Sequence, residues 1–440
     1  MIPIDFAARR AQLAQRMRPH GGGVAVIPTA PEQTRNRDTH YPYRPDSYFY
    51  WLTGFNEPEA ALVMAVAADG ATQTILFCRE KNLEREIWDG FRHGPEGARA
   101  VFGFDQAYPL AELDTKLIEL CANHAALWFS LGHDPGWDSR LIVAMNVLRG
   151  QTRQGKRSPS VWRDVRVELD ALRMTKDAAE LERMREAARI SAAAHRRAMA
   201  FARPGQFEYQ LEAELLHEFQ RQGCASPAYP SIVAGGANAC VLHYVANNQP
   251  LNDGDLVLID AGGEFDSYAA DITRCFPANG RFSRAQATIY DLVLAMQDAA
   301  IAAVRPGAGF NEPHEAALRV LAQGLIDLKL LPGSLDEVLQ NESYKRFYMH
   351  RTSHWLGMDV HDAGEYKHGE AWVALEAGHA LTIEPGCYIR AADDVPQEYW
   401  NIGVRIEDDV VVTKDGCEVT TAAAPKRIAE IEALMREARA

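Results

Sequence analysis

Strand–helix alternation near the N-terminus and a repeated grammar after it predict two architectures in one chain. The first is an α/β N-terminal domain over residues 1–173; the second is an α+β domain with an internal pseudo-twofold duplication over 174–440. Three features lead there. Short apolar runs alternate with helical spacing up to about residue 150. An Arg-Pro-Gly stop recurs 102 positions on, at 305 against 203. A strand ending in a carboxylate recurs 124 positions on, at Glu384 against Asp260. A chain of 440 residues suits two or three domains.

In chain order, MIPIDFAARRAQLAQRM predicts an amphipathic helix beginning near Asp5, and its lack of an apolar stretch excludes a secretory signal. Leu62–Val66 and Thr74–Phe77 read as strands around the turn Asp69-Gly70. Leu110–Ala122 has helical spacing and Ala126–Phe129 reads as a strand. The aromatic stretch His40–Trp51 reads as core and surface packing. Trp88-Asp89-Gly90 reads as a polar loop whose tryptophan marks an interface. Arg149–Ser160, basic, small and polar, reads as an interdomain linker or an exposed loop.

From Thr175 the pattern changes. Thr175, Asp177 and Glu180 supply a cap and first-turn acids for a helix running to about Ala202. It stops at Arg203-Pro204-Gly205, and a second helix follows over Tyr209–Gln222. The same order returns as a helix over Arg284–Val304, Arg305-Pro306-Gly307, and a helix over Glu312–Lys329. Leu251–Gly262 then aligns with Leu375–Gly386. The second copy carries about 22 extra residues, placed by this reading within 331–361. Each half would point one strand-end carboxylate at a shared cleft.

Apolar residues at 47% and charged residues at 24% allow a large core, and a net charge of −14 argues against a nucleic-acid surface. No apolar run reaches the roughly 20 residues of a membrane span. Seven scattered cysteines without a C-x-x-C exclude a cysteine-ligated zinc and fit free thiols in a reducing cytoplasm.

The chemistry gathers around LVLIDAGGEFDSYAADIT, residues 256–273. It reads as a hairpin with Asp260 and Asp271 on its arms and Gly262-Gly263 at the turn. Two acids at the ends of buried strands repel each other, and a bound cation is the simplest way to keep both ionised. Val404–Asp408 adds a third acidic strand, on which alternation puts Arg405 and Glu407 on one face. His350, His354 and His361 fall beside the second carboxylate strand. His350 and His354 have the spacing of a zinc helix, but no Glu follows His350, so the H-E-x-x-H reading is rejected. Asp260, Asp271, His354, Glu384 and Glu407 are therefore the candidate ligands. Four carboxylates balance two divalent cations, and an oxygen-rich set with one imidazole favours manganese over zinc or cobalt.

The order Asp, Asp, His, Glu, Glu, in the contexts LIDAG, DITR, HWLGMDVHD, IEPG and VRIED, resembles the pita-bread metalloexopeptidases, and among them the aminopeptidase P family. The resemblance covers nearly the whole chain, including Asp38–Phe55. It implies hydrolysis of N-terminal Xaa-Pro bonds by a hydroxide bridging two divalent ions, expected to be Mn2+. It implies that Asp260 chelates one ion, that His354 and Glu384 hold the other, and that Asp271 and Glu407 bridge. It further implies substrate contact for His243, a place beside the scissile carbonyl for His361, and a place in the proline pocket for His350. Glu384 becomes the general base, and Arg405 orders the site. The partners implied are peptides with proline second and further copies of the chain, as a tetramer or dimer in which Trp88 reaches a neighbouring site. Prolidase, the Xaa-Pro dipeptidase, shares these ligands. A long N-terminal domain disfavours methionine aminopeptidase, and a metal-free binding protein of this fold would have lost ligands that are all present here.

Overall fold

The protein is described by a computed structural model covering residues 1–440. It divides into two compact units, Pro3–Leu172 and Arg173–Ala440, the second also including Met1–Ile2.

The N-terminal unit is α/β. Its six-stranded mixed sheet runs in the order 106–109, 72–78, 61–66, 23–28, 126–128, 161–163. The expected hairpin is there, with Val63 opposite Ile75, and turns at Asp69-Gly70. Val24, Val26, Val63, Ile75 and Phe77 pack with Leu113, Leu117, Leu141 and Met145. Their alternates Ala25, Leu62, Met64 and Leu76 are also fully buried, so both faces are covered. The first helix spans Phe6–Met17, with Asp5 as its N-cap accepting from the Ala8 N–H at 2.9 Å. In the aromatic stretch, Phe49 and Trp51 are core while Tyr41 is exposed.

One reading changes here and one is decided. Trp88 lies not in a loop but on a helix, Leu83–Asp89, capped by Asn82. Arg149–Ser160 is the exposed loop of its two readings and does not join the two units. It ends the helix Pro135–Gly150 and leads into the edge strand Val161–Arg163 of the same sheet.

The second unit is the α+β pita-bread body. Its first helix, Ala178–Phe201, is capped by Asp177 rather than Thr175. The reason is reciprocity: the Asp177 carboxylate accepts from the Glu180 N–H, and the Glu180 carboxylate accepts from the Asp177 N–H, each at 2.9 Å. Helices Glu208–Arg221, Arg284–Ala303 and Glu312–Asp327 follow. They share one core with Val257, Ile259, Leu381, Ile383, Val404 and Val410.

The repeated grammar has repeated hydrogen bonds. The Gly205 N–H donates to the Leu251 carbonyl, and the Gly307 N–H to the Leu375 carbonyl, both at 2.8 Å. The Glu208 N–H donates to Gln249 at 3.0 Å and the Phe310 N–H to Val373 at 2.9 Å. Donors and acceptors keep the sequence offsets noted above. The second half also carries an extra helix, Leu335–Gln340, and a helical turn, Ser343–Arg346.

Strands 232–235, 256–260 and 273–277 form one antiparallel sheet, and 380–383, 408–412 and 417–419 another. The two sheets meet where the Glu407 N–H donates to the Thr273 carbonyl at 3.1 Å. Fully buried Arg274 spans the seam, with Nη1 on the Glu407 carbonyl and Nη2 on Asp408, both at 2.6 Å.

Candidate active site

Asp260 closes the strand Leu256–Asp260, opposite Thr273 on the returning strand. Asp271 stands just ahead of that strand, so the two acids are neighbours across the ladder's end. The tight turn lies further out than Gly262-Gly263. It falls at Asp266 and Ser267, both with positive φ, between 263–265 and 268–269. Gly262 serves a different purpose: a Cβ there would sit 1.6 Å from the Ala270 carbonyl oxygen. Only glycine lets the two arms run that close.

The second pair of acids comes from a double break. Strands 380–383 and 386–389 are separated by Glu384-Pro385, and 402–405 and 408–412 by Ile406-Glu407. The stretch from Val404 is therefore two strands, not one. Arg405 pairs with Gly386 and Asp408 with Ile383, and Pro385 has no N–H to continue the ladder. Arg405 and Glu407 still reach the same place, as alternation requires.

There the five predicted ligands converge. Donor atoms of Asp271, His354 and Glu407 lie within 4.8 Å of one another. His354 Nε2 is 3.5 Å from Asp271 and 3.7 Å from Glu384. The Tyr229 hydroxyl links Asp260, at 2.7 Å, to Asp271. Arg405 Nη2 donates to Asp260 at 2.6 Å, its Nη1 to the Tyr388 hydroxyl at 2.9 Å, and its Nε to Thr273 at 3.2 Å. The Thr273 hydroxyl donates to Glu407 at 2.6 Å.

The other histidines lie beside these ligands. His350 bonds the Tyr388 hydroxyl through Nε2 at 2.8 Å and lies 3.7 Å from Glu384. The His361 ring is 4.3 Å from that of His354. Burial first, and then the charge of Arg405, lowers His350 to about 3, and burial with the charge of His354 lowers His361; His243, exposed, lies near enough to act on both. Trp88 belongs to the other unit, is 84% exposed, and has none of these contacts.

The acids outnumber the cationic side chains that face them, and they raise one another's pKa values. Burial first, and then the charges of Asp271, Glu384 and Asp260, push Glu407 far above the carboxylate range. Burial raises Glu384 to about 7. Burial also raises Asp260, against the pull of Arg405. Burial opposes the charge on His354, but its hydrogen bond to Asp271 and the charge of Glu384 win and lift it to about 9. Asp271 resists burial through the same bond and stays low. Four acids thus face one guanidinium and one imidazole. The His354 Nδ1 is tied to the Trp355 carbonyl at 2.9 Å, which turns Nε2 toward the acids. The donor set fits divalent cations of hard or borderline character.

Three supporting residues escaped the sequence reading. Tyr229 sits in a loop with no periodicity to betray it. Tyr388 lies two residues past Gly386 on a buried strand. Thr273 alone carried a signal, being two residues after Asp271 and so on its side of the strand.

Residues 182–414 match the family model of metallopeptidase family M24, and residues 6–128 that of the aminopeptidase P N-terminal domain. The Xaa-Pro aminopeptidase of Escherichia coli (strain K12) is 43% identical over 435 residues, 99% of this chain and 98% of that protein. The structure of Pseudomonas aeruginosa aminopeptidase PepP is similar with a TM-score of 0.97 at 50% identity, over 100% of both chains. Zinc-substituted E. coli aminopeptidase P in complex with product gives a TM-score of 0.97 at 42% identity, again over 100% of both chains.

Proposed function

The chain belongs to metallopeptidase family M24 and carries the aminopeptidase P N-terminal domain, and on that footing we propose how it works as a Xaa-Pro aminopeptidase, an enzyme that releases the first residue of peptides with proline second. The observation that carries this reading is the convergence of five ligand-type side chains, two from one hairpin and three from other segments, in one largely buried and under-neutralised cluster.

Asp260, Asp271, His354, Glu384 and Glu407 would hold two divalent ions, with Mn2+ the best match to four carboxylates and one imidazole. When bound, such ions lower the pKa of a water and polarise a carbonyl. The rest falls to the chain's own groups. Glu384, 3.7 Å from both His354 and His350, would take a proton from the attacking water. An Xaa-Pro imide nitrogen has no hydrogen and leaves only if it is given a proton, which Glu384 returns to it. His361 and His243 position the scissile carbonyl, and His350 with Tyr388 forms a wall for the proline ring. Arg405 fixes the orientation of Asp260 and Thr273 and so of the acids they meet. The substrate's free α-amine is held near Asp260, which restricts cleavage to the first residue.

The N-terminal unit serves self-association and substrate access. Leu83, Ile87, Trp88 and Phe91 are 72%, 81%, 84% and 69% exposed on one short helix and its exit, a surface suited to a second copy in a homotetramer or dimer. Trp88 would reach a neighbouring chain's substrate there. Seven unpaired cysteines, six of them buried, suit a reducing cytoplasm. No helix is long and apolar enough to cross a membrane.

Metal-depleted protein reconstituted with Mn2+ is offered an Xaa-Pro-Xaa tripeptide and an Xaa-Pro dipeptide side by side. Manganese-dependent release of the first residue from the tripeptide is expected. Preference for the dipeptide reassigns the chain to prolidase, and no release from either refutes the hydrolase reading.

A further inference from the structure

A second cluster of buried charge lies just outside the mechanism above. Asp362 is 1% exposed along its side chain and meets two cations that are each 2% exposed. Arg173 Nη2 donates to its Oδ1 at 2.5 Å, and Lys176 Nζ to its Oδ2 at 2.9 Å. Arg173 also donates to Asp359 at 2.9 Å. Arg173, Lys176 and Asp362 are thus paired out of water, and the partly exposed Asp359 supplies the second negative charge.

The carboxylate is built into a closed loop. The Asp362 N–H donates to the Trp355 carbonyl at 3.0 Å, and the Asp359 N–H to Asp362 Oδ1 at 3.3 Å. A Cβ on Gly357 would fall 2.2 Å from Asp362 Oδ2 and 3.0 Å from Lys176 Cε. Glycine at 357 is what admits the ion pair. This loop starts next to His354 and ends next to His361, whose rings are 4.3 Å apart. His361 is itself exposed on the rim, so the loop beneath it sets its position.

A buried ion pair is weak evidence for stability, because desolvation offsets much of the attraction. Its directionality is better suited to fixing geometry. We propose that Asp362, gripped by Arg173 and Lys176, is a positioning residue that holds His361 in place beside the metal ligands and so supports the turnover rate. This rests on the proposed function, and specifically on a role for His361 at the scissile carbonyl.

The test is a cycle of Asp362→Asn, His361→Ala and their combination in the manganese-loaded enzyme. Asp362→Asn should lower kcat at least about tenfold, with KM changed less than about threefold and metal content unchanged. In the His361→Ala background the same change should cost less than about twofold, since the group being positioned is gone. Amide exchange over 355–362 in the metal-free protein should quicken, while strand 256–260 stays protected. If Asp362→Asn does not fold, the charge-balanced Asp362→Asn/Lys176→Met variant takes its place in the cycle. Equal kcat losses in both backgrounds, or a kcat within about twofold of wild type, would overturn the tether alone. A wild-type enzyme inactive on Xaa-Pro-Xaa peptides would instead refute the hydrolase reading, and this one with it.

Discussion

Glu384 sits among His354, His350 and the remaining acids, and its burial lifts it toward neutrality. Replacing it with Gln keeps the shape and removes the base, so kcat should fall by on the order of 10²–10⁴-fold, read with the tripeptide. Tyr229 and Thr273 act on the acids beside it, and neither could be picked out from residue type alone. The acid–histidine pair also makes metal loading depend on pH. His354 binds a cation only as neutral imidazole, and against burial its bond to Asp271 and the charge of Glu384 raise it to about 9. Burial and the neighbouring acids likewise raise Glu384, to about 7, and Glu407. Cation loading must release the protons these groups hold, so affinity should weaken as pH falls through this range. Manganese isotherms at pH 6, 7 and 8 check this, and a pH-independent affinity would contradict it.

Among the elements, the 256–277 hairpin depends most on a single position. Gly262→Ala places a methyl against the Ala270 carbonyl, a backbone atom that cannot swing aside. The arms must separate, and Asp260 and Asp271 with them. The variant should lose manganese stoichiometry and at least about 3 kcal/mol of stability in the second unit, measured by metal analysis and chemical denaturation. Unchanged metal content would mean the hairpin tolerates the displacement. Helices were legible because caps and stops are local: Asp5, Asp177, Arg203-Pro204-Gly205 and Arg305-Pro306-Gly307 all act within one turn. The misplaced points were also local in origin. Glycine at 262 marks close approach and not the turn its residue type suggests, and the Val404–Thr413 stretch hides a break set by Pro385 on another strand.

At the scale of the whole molecule, the proposed self-association rests on Leu83, Ile87, Trp88 and Phe91, exposed together within nine residues. Ile87→Glu should shift the protein to a smaller assembly, seen by light scattering after size-exclusion chromatography, with its far-UV spectrum kept. An unchanged mass would place the association surface elsewhere.

Periodicity, caps and the two offset repeats lie along the chain, so the two architectures, the order of the helices and the identities of the five metal-ligand candidates were readable in one dimension. What brought Tyr229, Tyr388 and the Asp362 ion pair to their places is sheet pairing and loop closure between residues up to 189 positions apart. Contacts of that kind leave no spacing in the sequence, because the atoms that choose the partner belong to a different part of the chain.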